Sequence, residues 1–454
     1  MQNNLTEKDI KNLNKWAKRC GISSIGKDKE EIFNLKKLYF STINTIEHIP
    51  FEISKLINLE EIFINCQGLI ISPEDVKNLV NIKKLDIYDF KLKYIPAEIF
   101  TLTNIEELTI SYRKLKKFPE DIKNLINLKS LTIYCNNLIE LPKEIGNLNR
   151  LEKLDISCDN LEGLPNEIEK LTNLKFLHIW ISKKQHIPLK IFKLINLEEL
   201  EIRCEDLIKL PKDIKNLVKL KRLDISNAEL PKEIGDLISL EELRINIYKI
   251  ELPKEIGNLS NLKLLDIQNG YSKLPKEIEK LINLKGLYIR TEYIPPEIFK
   301  LINLEELEIN CEGLKKFPKD IKNLVKLKRF VSNAELPKEI GDLINLEELD
   351  ICVYDLTELP KEIGNLTNLK SLKIYGENLK LPKEICNFSN LKSLDISCWT
   401  LENFPDGIEK LTNLEWLYIV YHRTFNMKIL PIKEMKNLTN LNLIQVFRSK
   451  RLSL

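Results

Sequence analysis

The stretch LKSLTIYCNNLIELPKEIGNLNRL, residues 128–151, decides the architecture. Leu131-Thr132-Ile133 alternates apolar and polar residues, which suits a short strand with one buried face. Leu138 and Leu141 follow, and Pro142 then turns the chain away, since it cannot donate to a strand ladder. Ile145 and Leu148 are three apart, the spacing of a helical or 3₁₀ turn with one apolar side. The same phrase recurs on both sides. Prolines at 50, 73, 96, 119, 142, 165, 188 and 211 are each 23 residues apart. The series continues at 231, 253, 275, 295, 318, 337, 360, 382 and 405, with gaps of 19 to 23. Degenerate copies lie near Pro431 and over residues 34–41. About 18 or 19 units result, far more than the three or so an array needs. One unit cannot enclose its own core, so the units must stack and share a ladder of Leu and Ile.

This pattern, L-x-x-L-x-L-x-x-N-x-L followed by L-P-x-x-I-x-x-L-x-x-L, resembles the leucine-rich repeat family. It is most similar to the intracellular Ras-group type and to comparable bacterial proteins, and it covers roughly residues 30–447. The resemblance implies an α/β solenoid: a horseshoe with a parallel sheet on its concave face and short helical or 3₁₀ turns on its convex face. It also implies a signalling scaffold of the kind that contacts small GTPases or phosphatase subunits.

Two departures stand out. The family's inward Asn at the ninth position is kept only at Asn136; other units carry Gln67, Phe90, Arg113, Asp159, Ser182, Glu205, Glu312, Glu377 and Trp399. Looser loops after the strands are therefore expected. Cysteine fills the eighth position in six units, at Cys66, Cys135, Cys158, Cys204, Cys311 and Cys398. These read as small spacers, with a metal or redox role as the alternative, such as a disulfide between the adjacent Cys135 and Cys158. The second departure is a duplication: residues 188–245 match 295–351, but one residue is missing near Phe330. A one-residue slip flips side chains to the other face, so a distorted or shortened strand is expected there.

The ends lie outside the pattern. Thr6 and Asp9 resemble a capping box, and Ile10, Leu13, Ala17 and Cys20 share a helical face. Residues 1–29 thus read as a capping helix and connector, 30–447 as the repeats, and 448–454 as a short basic tail.

Composition bounds the function. The 454 residues hold 70 Lys plus Arg against 67 Asp plus Glu, a net charge of +3. No strong pull toward nucleic acid or anionic membrane follows. Nine cysteines without C-x-x-C pairs, a polar N-terminus and no 20-residue apolar run predict a soluble, cytoplasmic protein with free thiols. The sequons, such as Asn258-Leu259-Ser260, recur because the repeat recurs. Only four histidines occur, His48, His178, His186 and His422, without metal-type spacing. No phosphate loop or nucleophile elbow appears. The chain reads as a non-enzyme that needs no cofactor or metal.

Binding is expected on the strand face, where the third, fifth and seventh positions point outward and vary. Tyr134, Phe176, His178, Trp180 and Arg203 form one candidate patch, aromatic with a charged flank. Tyr288, Trp399, Trp416, Tyr418 and Tyr421 supply further aromatic contacts toward the C-terminus. A monomer that binds a protein is the expectation. Self-association or recognition of a non-protein ligand is the alternative.

Overall fold

The computed structural model describes residues 5–22, 25, 28–45, 49–68, 79–182, 188–204, 209–424, 438, 440–441 and 443–448; the side chains of 42–45, 268–272, 402–403, 421–424 and 443–448 are outside it. The units expected around Pro73 and Pro431, Glu205, and residues 449–454 of the tail lie outside the described residues. The chain divides into two compact units, Met1–Glu233 and Ile234–Leu454.

In the first unit, the chain from 128 to 151 shows how one repeat is made. The strand Ser130–Tyr134 buries Leu131 and Ile133 and turns Thr132 and Tyr134 outward. Pro142 sits in extended conformation at the entrance of a 3₁₀ helix, Lys143–Asn147. Its carbonyl accepts from the Ile145 amide at 3.1 Å, Ile145 accepts from Leu148 at 3.2 Å, and Leu148 accepts from Leu151 at 2.9 Å. Bonds every three residues put Ile145, Leu148 and Leu151 on one buried side, so the three-residue spacing specifies 3₁₀ geometry. The next repeat is tied on by Glu152 and Lys153 amides donating to the Lys129 carbonyl at 2.8 and 2.9 Å.

Strands from Lys37–Thr45 to Arg222–Ser226 pair in parallel, each with its successor. A 3₁₀ turn leads into most of them. The helix Glu7–Cys20 precedes them, with Thr6 and Asp9 forming a reciprocal capping box and Gly21 closing it in left-handed conformation. Trp16 of that helix meets Phe40 edge-on at 5.4 Å. The second unit repeats the design. Strands from Leu264–Lys273 to Leu443–Arg448 are parallel neighbours, again in sequence order. The expected parallel sheet with 3₁₀ turns is what the chain forms.

The asparagine ladder is present, but not where the ninth position suggested. Asn136 is exposed. The ladder is built by the Asn that precedes most of the strands, in the phrase L-x-N-L; Arg150, Lys219, Ser239 and Lys326 interrupt it. Asn127 Nδ2 donates to the Thr103 carbonyl at 3.0 Å, Asn104 to Val80 at 2.7 Å and Asn173 to Asn149 at 2.7 Å. In the second unit Asn303 donates to Ile282 and Asn368 to Ile344. Each bond satisfies a carbonyl that the tight 3₁₀ turn leaves free. The inward slot after the strand belongs instead to the eighth position. All six eighth-position cysteines are buried there as free thiols. Burial pushes the Cys66 and Cys135 thiols up to about 12, so they stay protonated and inert. Asp89 fills the same slot and caps the following turn, accepting from the Lys91 and Leu92 amides at 2.7 and 2.9 Å.

The strand near Phe330 is shortened but not distorted. Arg329–Ser332 has four residues, and Phe330 faces Leu307 and Leu349 in normal register. Ser332 takes an inward slot otherwise held by Ile, where its hydroxyl accepts from the Ala334 amide at 3.1 Å. No side chain flips, because the loss is absorbed after the strand. In the longer copy Ser226 stands between the inward Ile225 and Asn227, at φ 59; in the shorter copy Asn333 follows the inward Ser332 directly. Both asparagines still donate to the preceding repeat, to Cys204 at 3.1 Å and Cys311 at 3.3 Å.

Candidate functional site

In the first unit the outward positions line up in rows by strand register. Lys153, Phe176, Glu199 and Arg222 form the third-position row; Asp155, His178, Glu201 and Asp224 the fifth; Ser157, Trp180 and Arg203 the seventh. The parallel ladder spaces neighbours by about 4.8 Å, so charged groups of opposite sign meet across strands.

His178 stands at the centre and is largely buried by its neighbours. Its Nε2 lies 3.0 Å from Glu199 Oε1 and its Nδ1 lies 3.7 Å from Asp155 Oδ2. Asp155, then Glu199 and Glu201, hold the imidazole above its ordinary range despite partial burial. Trp180 donates its indole N–H to Glu201 Oε1 at 3.0 Å, and the Arg203 guanidinium lies over its ring, 5.0 Å from the centroid. Arg203 also pairs with Glu201 at 2.7 Å and Asp224 at 3.5 Å, while Arg222 reaches Glu199 at 3.4 Å. Trp180 nonetheless keeps 41% of its surface exposed. The result is an aromatic side chain held in one orientation by an acid and a cation, with part of its surface still exposed. Phe176 lies beside Glu199 in the same frame, and Tyr134, 37% exposed, shares the row of Trp180 two strands earlier. The five expected residues of this patch therefore come together.

The C-terminal set is only partly brought together. Trp416 and Tyr418 occupy the third and fifth positions of the strand Trp416–Thr424 and share its outward face. Near them Lys373 sits in register between Asp350 and Asp395, whose carboxyls burial pushes up and Lys373 pulls down. Tyr288 lies on a different strand and hydrogen-bonds Glu306, and burial raises its hydroxyl well above the usual range. Trp399 packs edge-on against Tyr354 at 6.2 Å, past the end of the outward rows. Tyr421 pairs in register with Cys398; its side chain lies outside the described residues. By register Trp399 and Tyr421 hold ninth and eighth positions, beyond the third and fifth positions held by Trp416 and Tyr418.

Sequence reasoning missed a second aromatic cluster. Tyr39, Phe63 and Tyr88 run diagonally across three strands, with ring centroids 6.2 and 5.3 Å apart. Each holds a fifth or seventh position, so the rule that selected Trp180 would have found them had it been applied to the first repeats.

A leucine-rich repeat region model matches residues 113–184, 167–249, 244–335 and 332–453. Among solved structures, a leucine-rich repeat protein of Leptospira interrogans is 28% identical, with a TM-score of 0.63 over 88% of this chain and 93% of that one. The plant peptide hormone receptor RGFR1, solved in complex with RGF2, is 25% identical, with a TM-score of 0.60 over 93% of this chain and 76% of that one. A TDR receptor shares the fold at 23% identity and a TM-score of 0.60, over 81% and 70% of the two chains. No curated protein sequence matches this chain. With the repeat, the parallel ladder and a family model spanning most of its length in agreement, the chain belongs to the leucine-rich repeat family.

Proposed function

We propose that this chain is a non-catalytic, cytoplasmic scaffold that binds a protein or peptide partner on the strand face of its first unit, as part of a signalling assembly. The observation that carries this reading is Trp180: exposed, yet fixed by Glu201 and Arg203. An anchor ordered before binding loses little conformational entropy on contact, and Trp and Arg are the residue types that dominate binding energy. Phe176, His178 and Tyr134 extend the contact, and Tyr288, Trp416 and Tyr418 offer a second set on the other unit. The family is a known interaction scaffold, and RGFR1 was solved with the peptide hormone RGF2 bound. The mixed charge of the rows disfavours nucleic acid, and among the described residues no helix is long and apolar enough to cross a membrane.

The test is affinity capture from the source cell, with quantitative mass spectrometry. Replacing Phe176, Trp180, Trp416 and Tyr418 by Ala should leave the fold intact, because all four point outward. Capture of the specific partner should fall at least about tenfold, given that single hot spots contribute about 2 kcal/mol or more. Undiminished capture would place the site elsewhere. A second reading, self-association, draws on Ile282, Ile302, Val325 and Ile344, which stay 51 to 62% exposed at one position of four successive repeats. Sedimentation over a concentration range separates it from the monomer we expect.

A further inference from the structure

Among the described residues, one place on the outward rows gathers imidazole and carboxylates together. His178, Glu199 and Glu201 each offer a ligand atom, and these atoms all lie within 4.8 Å of one another. They come from two adjacent strands, so the backbone ladder fixes their spacing. We propose that His178, Glu199 and Glu201 form a site for a borderline-soft divalent cation of the zinc class. The assignment does not depend on protein capture.

Three features support it. The first is distance. Zinc holds nitrogen and carboxylate oxygen at about 2.1 Å, so two ligands of a tetrahedral ion lie about 3.4 Å apart. His178 Nε2 and Glu199 Oε1 are 3.0 Å apart, so small side-chain adjustments would admit an ion. The second is orientation. Asp155 lies on the Nδ1 side of the imidazole, the place of the carboxylate that orients metal-binding histidines and leaves Nε2 as the ligand. The third is that the cations now in place can leave. Arg203 is 52% exposed and bonds Glu201 from above; Arg222 touches Glu199 at only 3.4 Å. An ion entering between the carboxylates would replace both contacts and displace the His178 ring proton, while Arg203 turns to solvent. Three protein ligands leave a fourth coordination position open toward the strand face. The imidazole selects against magnesium and calcium, which prefer all-oxygen cages. Buried eighth-position thiols are poor competitors, because burial keeps them protonated.

The experiment is calorimetric titration of the full chain with ZnCl₂ at neutral pH, repeated with MgCl₂, on wild type and on His178→Gln, Glu201→Gln and Asp155→Asn. The expected result is zinc binding that weakens at least about tenfold in the first two variants and about 10- to 100-fold in Asp155→Asn, with no comparable magnesium binding. Circular dichroism checks that each variant is folded. Cobalt substitution identifies the donors: a spectrum without a thiolate charge-transfer band supports the site, and one with that band overturns it. Absence of zinc binding, equal zinc affinity in His178→Gln, or equal affinity for magnesium overturns it as well.

Discussion

Trp180 and Arg203 show what a single outward residue can do on a rigid ladder. Neither is buried, yet each is held by a partner on a neighbouring strand. His178 is tied more closely, and its charge has a measurable consequence. It is faced by Asp155 and Lys153 from the preceding strand, by Glu199, Glu201 and Arg203 from the following one, and by Arg222 and Asp224 beyond. Its folded-state affinity for a proton exceeds the unfolded value, with Asp155 as the main cause. The charged imidazole therefore adds stability that is fully present below about pH 6.5 and lost as pH rises through the folded-state value. Urea midpoints of wild type and His178→Gln should differ most below about pH 6.5 and converge as pH rises above it; a gap that widens with pH would contradict this. At this scale the sequence was legible where the period was clean: Phe176, His178 and Trp180 fall on alternate positions of one strand. It misled at Asn136, because a ninth-position Asn looks like a ladder residue until the bonds of Asn104 and Asn127 are seen.

At the scale of the element, the unit is a strand, a turn and a 3₁₀ segment whose contents answer to the next repeat. In two of the three units whose fourth residue after the proline is Phe, the following unit meets it with another ring: Phe100 with Phe118 at 6.4 Å, and Phe299 with Phe317 at 6.0 Å; after Phe192 the same place holds Leu210. Where it is Gly, the units approach more closely. A Cβ on Gly146 would lie 2.6 Å from the Glu167 carbonyl oxygen, which is backbone and cannot swing aside. Gly146→Ala should therefore destabilise the first unit by about 1–3 kcal/mol, through overpacking, read as a lower thermal midpoint. An unchanged midpoint would show that adjacent turns can part freely. The repeated K-E-I-G-N phrase made the glycine visible in sequence, but not its reason, which lies in a residue 21 positions later. The missing residue near Phe330 teaches the same point: the strand is shortened, as one of the two expected outcomes, and the buried register of Phe330 stays intact.

For the molecule as a whole, the period and its apolar slots were sufficient to give the fold, since stacking is the one arrangement that buries them. The rows between those slots carry the individuality. Lys and Glu mostly alternate at the second position, pairing Lys129 with Glu106, Lys175 with Glu152 and Lys221 with Glu198. Exposed pairs of this kind contribute about 0–1 kcal/mol each, so they keep the surface soluble and in register more than they hold it together. Against that plain background the strand face around Trp180 stands out in both its aromatic content and its bonding. Which partner it takes is written in that partner's surface, and so was not legible here. The measurement that bears most directly on the proposed role is hydroxyl-radical footprinting of the chain with and without its captured partner. The account predicts that Trp180, Phe176 and Tyr134 become protected while the exposed Tyr248 and Tyr293 react as before. Protection confined to Tyr248 and Tyr293, with Trp180 unchanged, would contradict it.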